Sequence, residues 1–198
     1  ETINEYRAAG LEEMNMLRMN IGIEHGNYDY RRKYLKRNVK DEVQIRAFEI
    51  AAEHKYASCA NSIIGMPDET RELIFDTINF VRKLPESIDA TGAFIFAPYH
   101  GTPLRTLAIE KGYIDEDEIC SLSNTSASML NMPTISKEEI SGLAKVFSLY
   151  IKFPKERWPE IKIAENDNDE GNKMMAKLGE EFDKTYRQFS ATALDLHD

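Results

Sequence analysis

A chain of 198 residues that is 42% hydrophobic has material for one generous domain, or for one domain with an appendage. A net charge of -9 and a pI near 5.1 argue against nucleic acid as a partner, because no basic stripe is available to release counterions from phosphates. Without a signal peptide or a run of 18 apolar residues no membrane partner is expected, and two lone cysteines, Cys59 and Cys120, make neither a disulfide framework nor a zinc site, which points to a reducing cytoplasm.

Residues 2–15 read as a helix, with Ile3, Tyr6, Ala9, Leu11 and Met14 at its apolar positions. The start at Glu1, with no initiator Met, reads as a piece of something longer. A strand over 17–23 follows and runs into Glu24, His25 and Gly26. The basic turn from Arg31 to Arg37 reads equally as a solvated helix face or as an anion site. Asp41 and Gln44 match an N-terminal capping pattern, and Val43, Ala47, Ile50 and Ala51 carry helical spacing to His54. A second strand covers 58–65. Met66 to Arg71 turns into a helix with Leu73, Ile74, Thr77, Ile78 and Val81 on one face, closing at Leu84-Pro85. The third strand, 90–97, ends in Pro98 and Gly101. Glu24 to Gly65 is 41 residues and Gly65 to Pro98 is 33, room for a crossover helix each time, so the strands are expected to be parallel.

Beyond Thr102 the pattern becomes helical. A helix over 104–111 closes at Gly112, residues 115–135 are irregular, and 124–128 read as a flexible loop. Ser136 and Glu139 form a capping box ahead of Ile140, Leu143, Ala144, Phe147, Tyr150 and Ile151. Pro154 and Pro159 interrupt, and Met175, Leu178, Phe182, Tyr186 and Phe189 line a last helix before a frayed tail from Ser190. The acidic loop 166–170 lacks the Gly and the distal Glu of a calcium loop and reads as solvated.

No Gly-x-x-x-x-Gly-Lys-Ser loop, Gly-x-Ser-x-Gly elbow or Cys–His signature is present. The chemistry therefore falls to the strand ends, which face the ligand crevice in a parallel sheet. Glu24 is a fixed carboxylate that suits a ribose diol. Asn61 and Ile63 share a strand face, placing a polar group beside an apolar wall, and Gly65 would let backbone approach a ligand. Two readings stay open: a nucleoside site, or an Asn that satisfies a buried backbone group beside a core Ile.

The stretches Gly22-Ile-Glu-His-Gly-Asn27, Arg31 to Asn38, Ile63-Ile-Gly-Met-Pro-Asp-Glu-Thr70 and Phe96-Ala-Pro-Tyr-His-Gly-Thr102 together resemble the second half of a radical S-adenosylmethionine enzyme core. The resemblance is to the Fe–S oxidoreductases that often carry a cobalamin-binding domain ahead of that core. It implies an α/β fold that is a partial (β/α) TIM-like barrel, with about three parallel strands over residues 1–113, and a carboxyl-terminal helical extension over 114–198. It places Glu24 and Asn61 at the ribose, Ile63 at the adenine, Lys36 or Arg37 at the methionine carboxylate, and Pro98 and Tyr99 beside the adenine. In the motif Gly-x-Ile-x-Gly-x-x-Glu that the resemblance implies for this strand, Asn61 stands at the first Gly and Asp68 at the Glu, with Glu69 next, which leaves the roles of Asp68 and Glu69 open. The Cys-x-x-x-Cys-x-x-Cys loop is absent, so the cofactors S-adenosylmethionine and [4Fe–4S], with a cobalamin domain left open, belong to an intact parent acting on a small-molecule substrate. The parent would cleave S-adenosylmethionine reductively to a 5′-deoxyadenosyl radical, and this piece alone would be inactive. The alternative is a non-catalytic module that binds a nucleoside-like ligand or a protein. With Met19 to Ile23 as a bare edge and Ile63 and Phe94 short of cover, the piece is expected to self-associate as a dimer.

Overall fold

The computed structural model describes residues 2–89, 92–120 and 127–186. Three strands, β1 (Arg18–Glu24), β2 (Ala57–Ile64) and β3 (Ala93–Ile95), form an open parallel sheet in the order β1-β2-β3. Its crossovers carry α2 (Tyr28–Tyr34) and α3 (Asp41–Ala52) between β1 and β2, and α4 (Arg71–Val81) between β2 and β3. Helix α1 (Glu5–Glu13) precedes the sheet, and α5 (Pro103–Glu110), α6 (Lys137–Lys152), α7 (Trp158–Ala164) and α8 (Asp169–Tyr186) follow it. The expected α/β class with parallel strands and a helical carboxyl-terminal part holds. The three strands do not close a barrel. The third strand, expected over 90–97, covers 93–95, and residues 92, 96 and 97 lie outside it. Residues 90 and 91, 121–126 (with 124–126 of the expected flexible loop) and everything from 187 on lie outside the described set.

Strand alternation gives the sheet two unlike faces. Ile23, Ala60, Ile64 and Ile95 point to one side, where they join Ile74, Ile78, Ile140, Leu143, Val146 and Phe147 in a single core. That core is continuous past residue 113, because α6 packs on both β3 and α4. Polar links strengthen the junction: Arg82 donates to the carbonyls of Tyr150, Ile151 and Phe153, and Arg71 makes a two-pronged bond to Glu165, which is nearly buried. The opposite side presents Asn20, Gly22, Asn61, Ile63 and Phe94, none of them fully buried. Phe94 keeps 49% of its surface exposed. Among the described residues β1 pairs only with β2 and so remains a sheet edge.

Local signals explain the helices. Side chains of Asn4, Asn27, Thr70, Thr102 and Ser136 cap α1, α2, α4, α5 and α6 by accepting a backbone N–H, and Ser136 with Glu139 completes the capping box. The start of α3 departs from expectation. Lys40 is its N-cap with no side-chain bond, Asp41 lies in the first turn paired with Arg31 at 2.6 Å, and Gln44 is buried with neither amide atom bonded. A charge partner across the loop has taken the residue that the capping pattern assigned to the helix itself. No helix among the described residues is long and apolar enough to cross a membrane.

Candidate functional site

The carboxyl end of β1 is built around an irregularity. Gly22 pairs with Asn61 and Glu24 pairs with Ser62, so Ile23 is an extra residue in β1 and the register shifts there. Glu24 then adopts a positive φ of 63°, uncommon for a side-chain-bearing residue. A bulge of this kind re-aims a side chain, and here it folds Glu24 back over Gly22. A β-carbon placed on Gly22 would stand 2.2 Å from Glu24 Oε1. Because Gly22 and Asn61 are register partners, the Glu24 carboxylate and the Asn61 amide lie side by side on the open face, one strand apart. Asn61 Oδ1 accepts a long contact from the Cys59 thiol at 3.4 Å. The Arg37 guanidinium stands 3.6 Å from Glu24 Oε1. Burial pushes the Glu24 carboxyl above its ordinary pKa, and Arg37 pulls against that shift.

Next to this face is a cavity of about 580 Å³ whose walls come from the end of α2, from Ile63 and Phe94, and from the β3–α5 loop through Leu104. Lys36, Ile63 and Tyr99 line it, and Pro98 sits in the same loop with its carbonyl bonded to Arg105. The eight residues singled out in the sequence therefore divide. Glu24, Arg37 and Asn61 gather on the sheet face; Lys36 and Tyr99 belong to the cavity; Ile63 stands between. Gly65 has a positive φ of 78°, and a β-carbon there would meet the Ile140 side chain at 3.0 Å, so α6 is what approaches its backbone closely.

Beneath the site is a layer the sequence did not disclose. Glu69, fully buried, accepts the backbone N–H groups of Gly65 and Met66. Asp68, also at positive φ, accepts the hydroxyls of Tyr34 and Tyr113 at 2.7 Å each and pairs with Lys111 at 2.9 Å. Burial would raise the Asp68 carboxyl, but these three donors hold it below its usual range. His25, Tyr30 and Tyr34 stack in sequence, with ring centroids 4.2 and 4.4 Å apart, and connect the buried turn to the cavity wall. Arg31, inside the basic turn, is neither solvated nor an anion site. It is fully buried and bonded to the carbonyls of His25 and Val39 and to Asp41. The spacing of Tyr30 and Tyr34, one helical turn apart and next to His25, was the one available signal for this layer.

No protein-family model matches the chain. Over 108 residues, 54% of the chain, it is 32% identical to an uncharacterized methyltransferase of Pyrococcus horikoshii, and that stretch covers 23% of the relative. The chain thus spans about a quarter of the length of the curated relative it matches. This finding overturns the reading as a radical S-adenosylmethionine Fe–S oxidoreductase. The relative is described as a methyltransferase, and nothing in the match points to reductive cleavage, a [4Fe–4S] cluster or cobalamin. Nor does it favour a non-catalytic binding module. Among the described residues no group of three or more His, Cys, Asp or Glu could hold a metal ion, and Cys59 is buried in β2 beside Asn61.

Proposed function

We propose that this chain is the donor-binding part of a methyltransferase enzyme whose methyl source is S-adenosylmethionine. The observation that carries the reading is the placement of the Glu24 carboxylate over Gly22, beside Asn61 and next to the apolar pair Ile63 and Phe94. The residues suit the cofactor. A carboxylate and an amide one strand apart, about 4.8 Å, can take up a ribose diol. Ile63 and Phe94 give the flat apolar surface a purine requires, and Arg37 is a cation within reach of the same corner for an amino-acid carboxylate. S-adenosylmethionine supplies an electrophilic methyl group on a sulfonium sulfur. The chain's own residues bind and orient, Glu24 holding the sugar and Ile63 setting the depth of the base.

The limited coverage of the relative supports a further element of the reading. The three strands form one segment of a larger, partial (β/α) barrel, with residues 1–113 in that segment and 114–198 as an extension, and the open face is its inner side. The isolated segment is then expected to bind without turning over. Titration calorimetry with S-adenosylmethionine and S-adenosylhomocysteine tests the proposal. Saturable binding of both, lost in Glu24→Ala, is the expected result. A wild-type chain that takes up neither overturns it.

A further inference from the structure

Two of the four polar side chains that line the cavity, and two carbonyls of the β3–α5 loop, are engaged within the protein. The Tyr34 hydroxyl is bonded to Asp68, and Thr102 Oγ1 donates to the Tyr99 carbonyl while accepting the Arg105 N–H. In the β3–α5 loop the Ala97 carbonyl accepts from Tyr99, and the Pro98 carbonyl accepts from Arg105. What the lining side chains still offer is the Tyr99 hydroxyl and Lys36 Nζ, which gives one bond to the Lys33 carbonyl at 2.9 Å and has two further donors. A ligand rich in hydroxyls lying wholly within the cavity would leave its own polar atoms short of partners, a penalty that keeps the ribose of a nucleoside at the Glu24 face and outside this space. Four aromatic rings, Tyr34, Phe94, Phe96 and Tyr99, face the space instead. They favour a planar apolar body, held by offset or edge contacts. Among the described residues, Lys36 is the only charged side chain in the lining.

We infer that this cavity binds a planar, apolar molecule carrying one anionic group, with Lys36 at the anion, and that this molecule is the methyl acceptor. The last clause rests on the methyltransferase reading; the class of ligand does not. Ile63 and Phe94 belong both to the cavity wall and to the face proposed for the donor, so two ligands would meet across them.

Two fluorescent probes of the same shape test the charge and the shape separately: 8-anilinonaphthalene-1-sulfonate, which is anionic, and N-phenyl-1-naphthylamine, which is neutral. The expected result is saturable binding of both, with one equivalent of the anionic probe per chain. Lys36→Gln should weaken the sulfonate several-fold and change the neutral probe less than twofold, while Phe94→Ala weakens both. Leu104→Trp, which fills the cavity, should abolish both, with circular dichroism confirming the fold. Sulfonate binding that ignores Lys36→Gln, or probe binding that ignores both Phe94→Ala and Leu104→Trp, overturns the inference. So does displacement of the sulfonate probe by S-adenosylhomocysteine, which would give the cavity to the donor. Failure of the donor reading is seen separately, as absence of S-adenosylhomocysteine binding in a chain that still binds the probe.

Discussion

His25 Nε2 stands 3.0 Å from Glu69 Oε1, and neither side chain has exposed surface. His25 Nδ1 accepts the Asn27 backbone N–H at 2.9 Å, so the ring proton is assigned to Nε2, facing the carboxylate. The approach is close but not aligned as a hydrogen bond, and among the described residues neither atom has another partner. Glu69 Oε2 meanwhile holds the turn after β2. One carboxyl group thus joins the ends of two neighbouring strands.

Glu69→Ala would leave the N–H groups of Gly65 and Met66 and the His25 ring without their partner. The expected loss is about 3–5 kcal/mol, typical of a broken buried polar pair. Glu69→Gln keeps an acceptor for the backbone and should lose less. Urea denaturation compares the two, and equal, small losses would show that Glu69 does not hold the turn.

Gly22→Ala forces the Glu24 carboxylate off the sheet face, since the new β-carbon would stand 2.2 Å from Oε1. A flexible carboxylate can swing away, so folding should survive. Donor affinity is expected to fall about tenfold, the equivalent of one polar contact of roughly 1.4 kcal/mol. Calorimetry with S-adenosylhomocysteine on Gly22→Ala and Glu24→Ala should give similar losses. Full affinity in Gly22→Ala would separate the carboxylate from binding.

Two carboxyl groups should tilt the pH profile in opposite directions. Glu24 has a raised pKa from burial, only partly countered by Arg37, so the folded state holds its proton more tightly than the unfolded. Its contribution to stability is full below the unfolded pKa and is lost as pH rises through the raised folded value. Glu165 is the reverse case. Burial pushes it up, but donors from Arg71, Lys162 and Tyr150 outweigh burial and lower it. Its contribution is present above the unfolded pKa and lost as pH falls through the folded value. Guanidinium unfolding across the acid range should therefore become flatter on its low-pH limb in Glu165→Gln. In Glu24→Gln the decline with rising pH should vanish. A change of the opposite sign in either variant would refute its assignment.

Donor binding should follow Glu24 in the other sense. The ionised carboxylate is the better diol acceptor, so affinity is expected to rise with pH through the same raised pKa at which stability falls. Calorimetry at several pH values checks this, and the rise should be absent in Glu24→Gln.

Period and spacing made the frame legible: three parallel strands, crossover helices and a capping box at Ser136. The division of that site was not legible, because it depends on a bulge at Ile23 that no alternation pattern announces. Arg31 was misread for a related reason. A basic residue in a basic run looks solvated, and only the carbonyls that close around it from His25 and Val39 make it a core residue. Asp68 and Glu69 are adjacent and chemically alike, yet one is fully buried under the backbone and the other gathers two tyrosines and a lysine. Tertiary contact decides between them.

Arg82, at the end of α4, gives the carboxyl-terminal helices a hold on that crossover helix that sequence distance hides. Its guanidinium closes the last turn of α6 by taking the carbonyls of Tyr150, Ile151 and Phe153, groups a helix end otherwise leaves to water. The helix so anchored carries Ile140, which stands against the turn that Glu69 fixes. Loosening at the far end of α6 would therefore be felt at the carboxyl end of β2, and the two parts of the chain should melt as one cooperative unit.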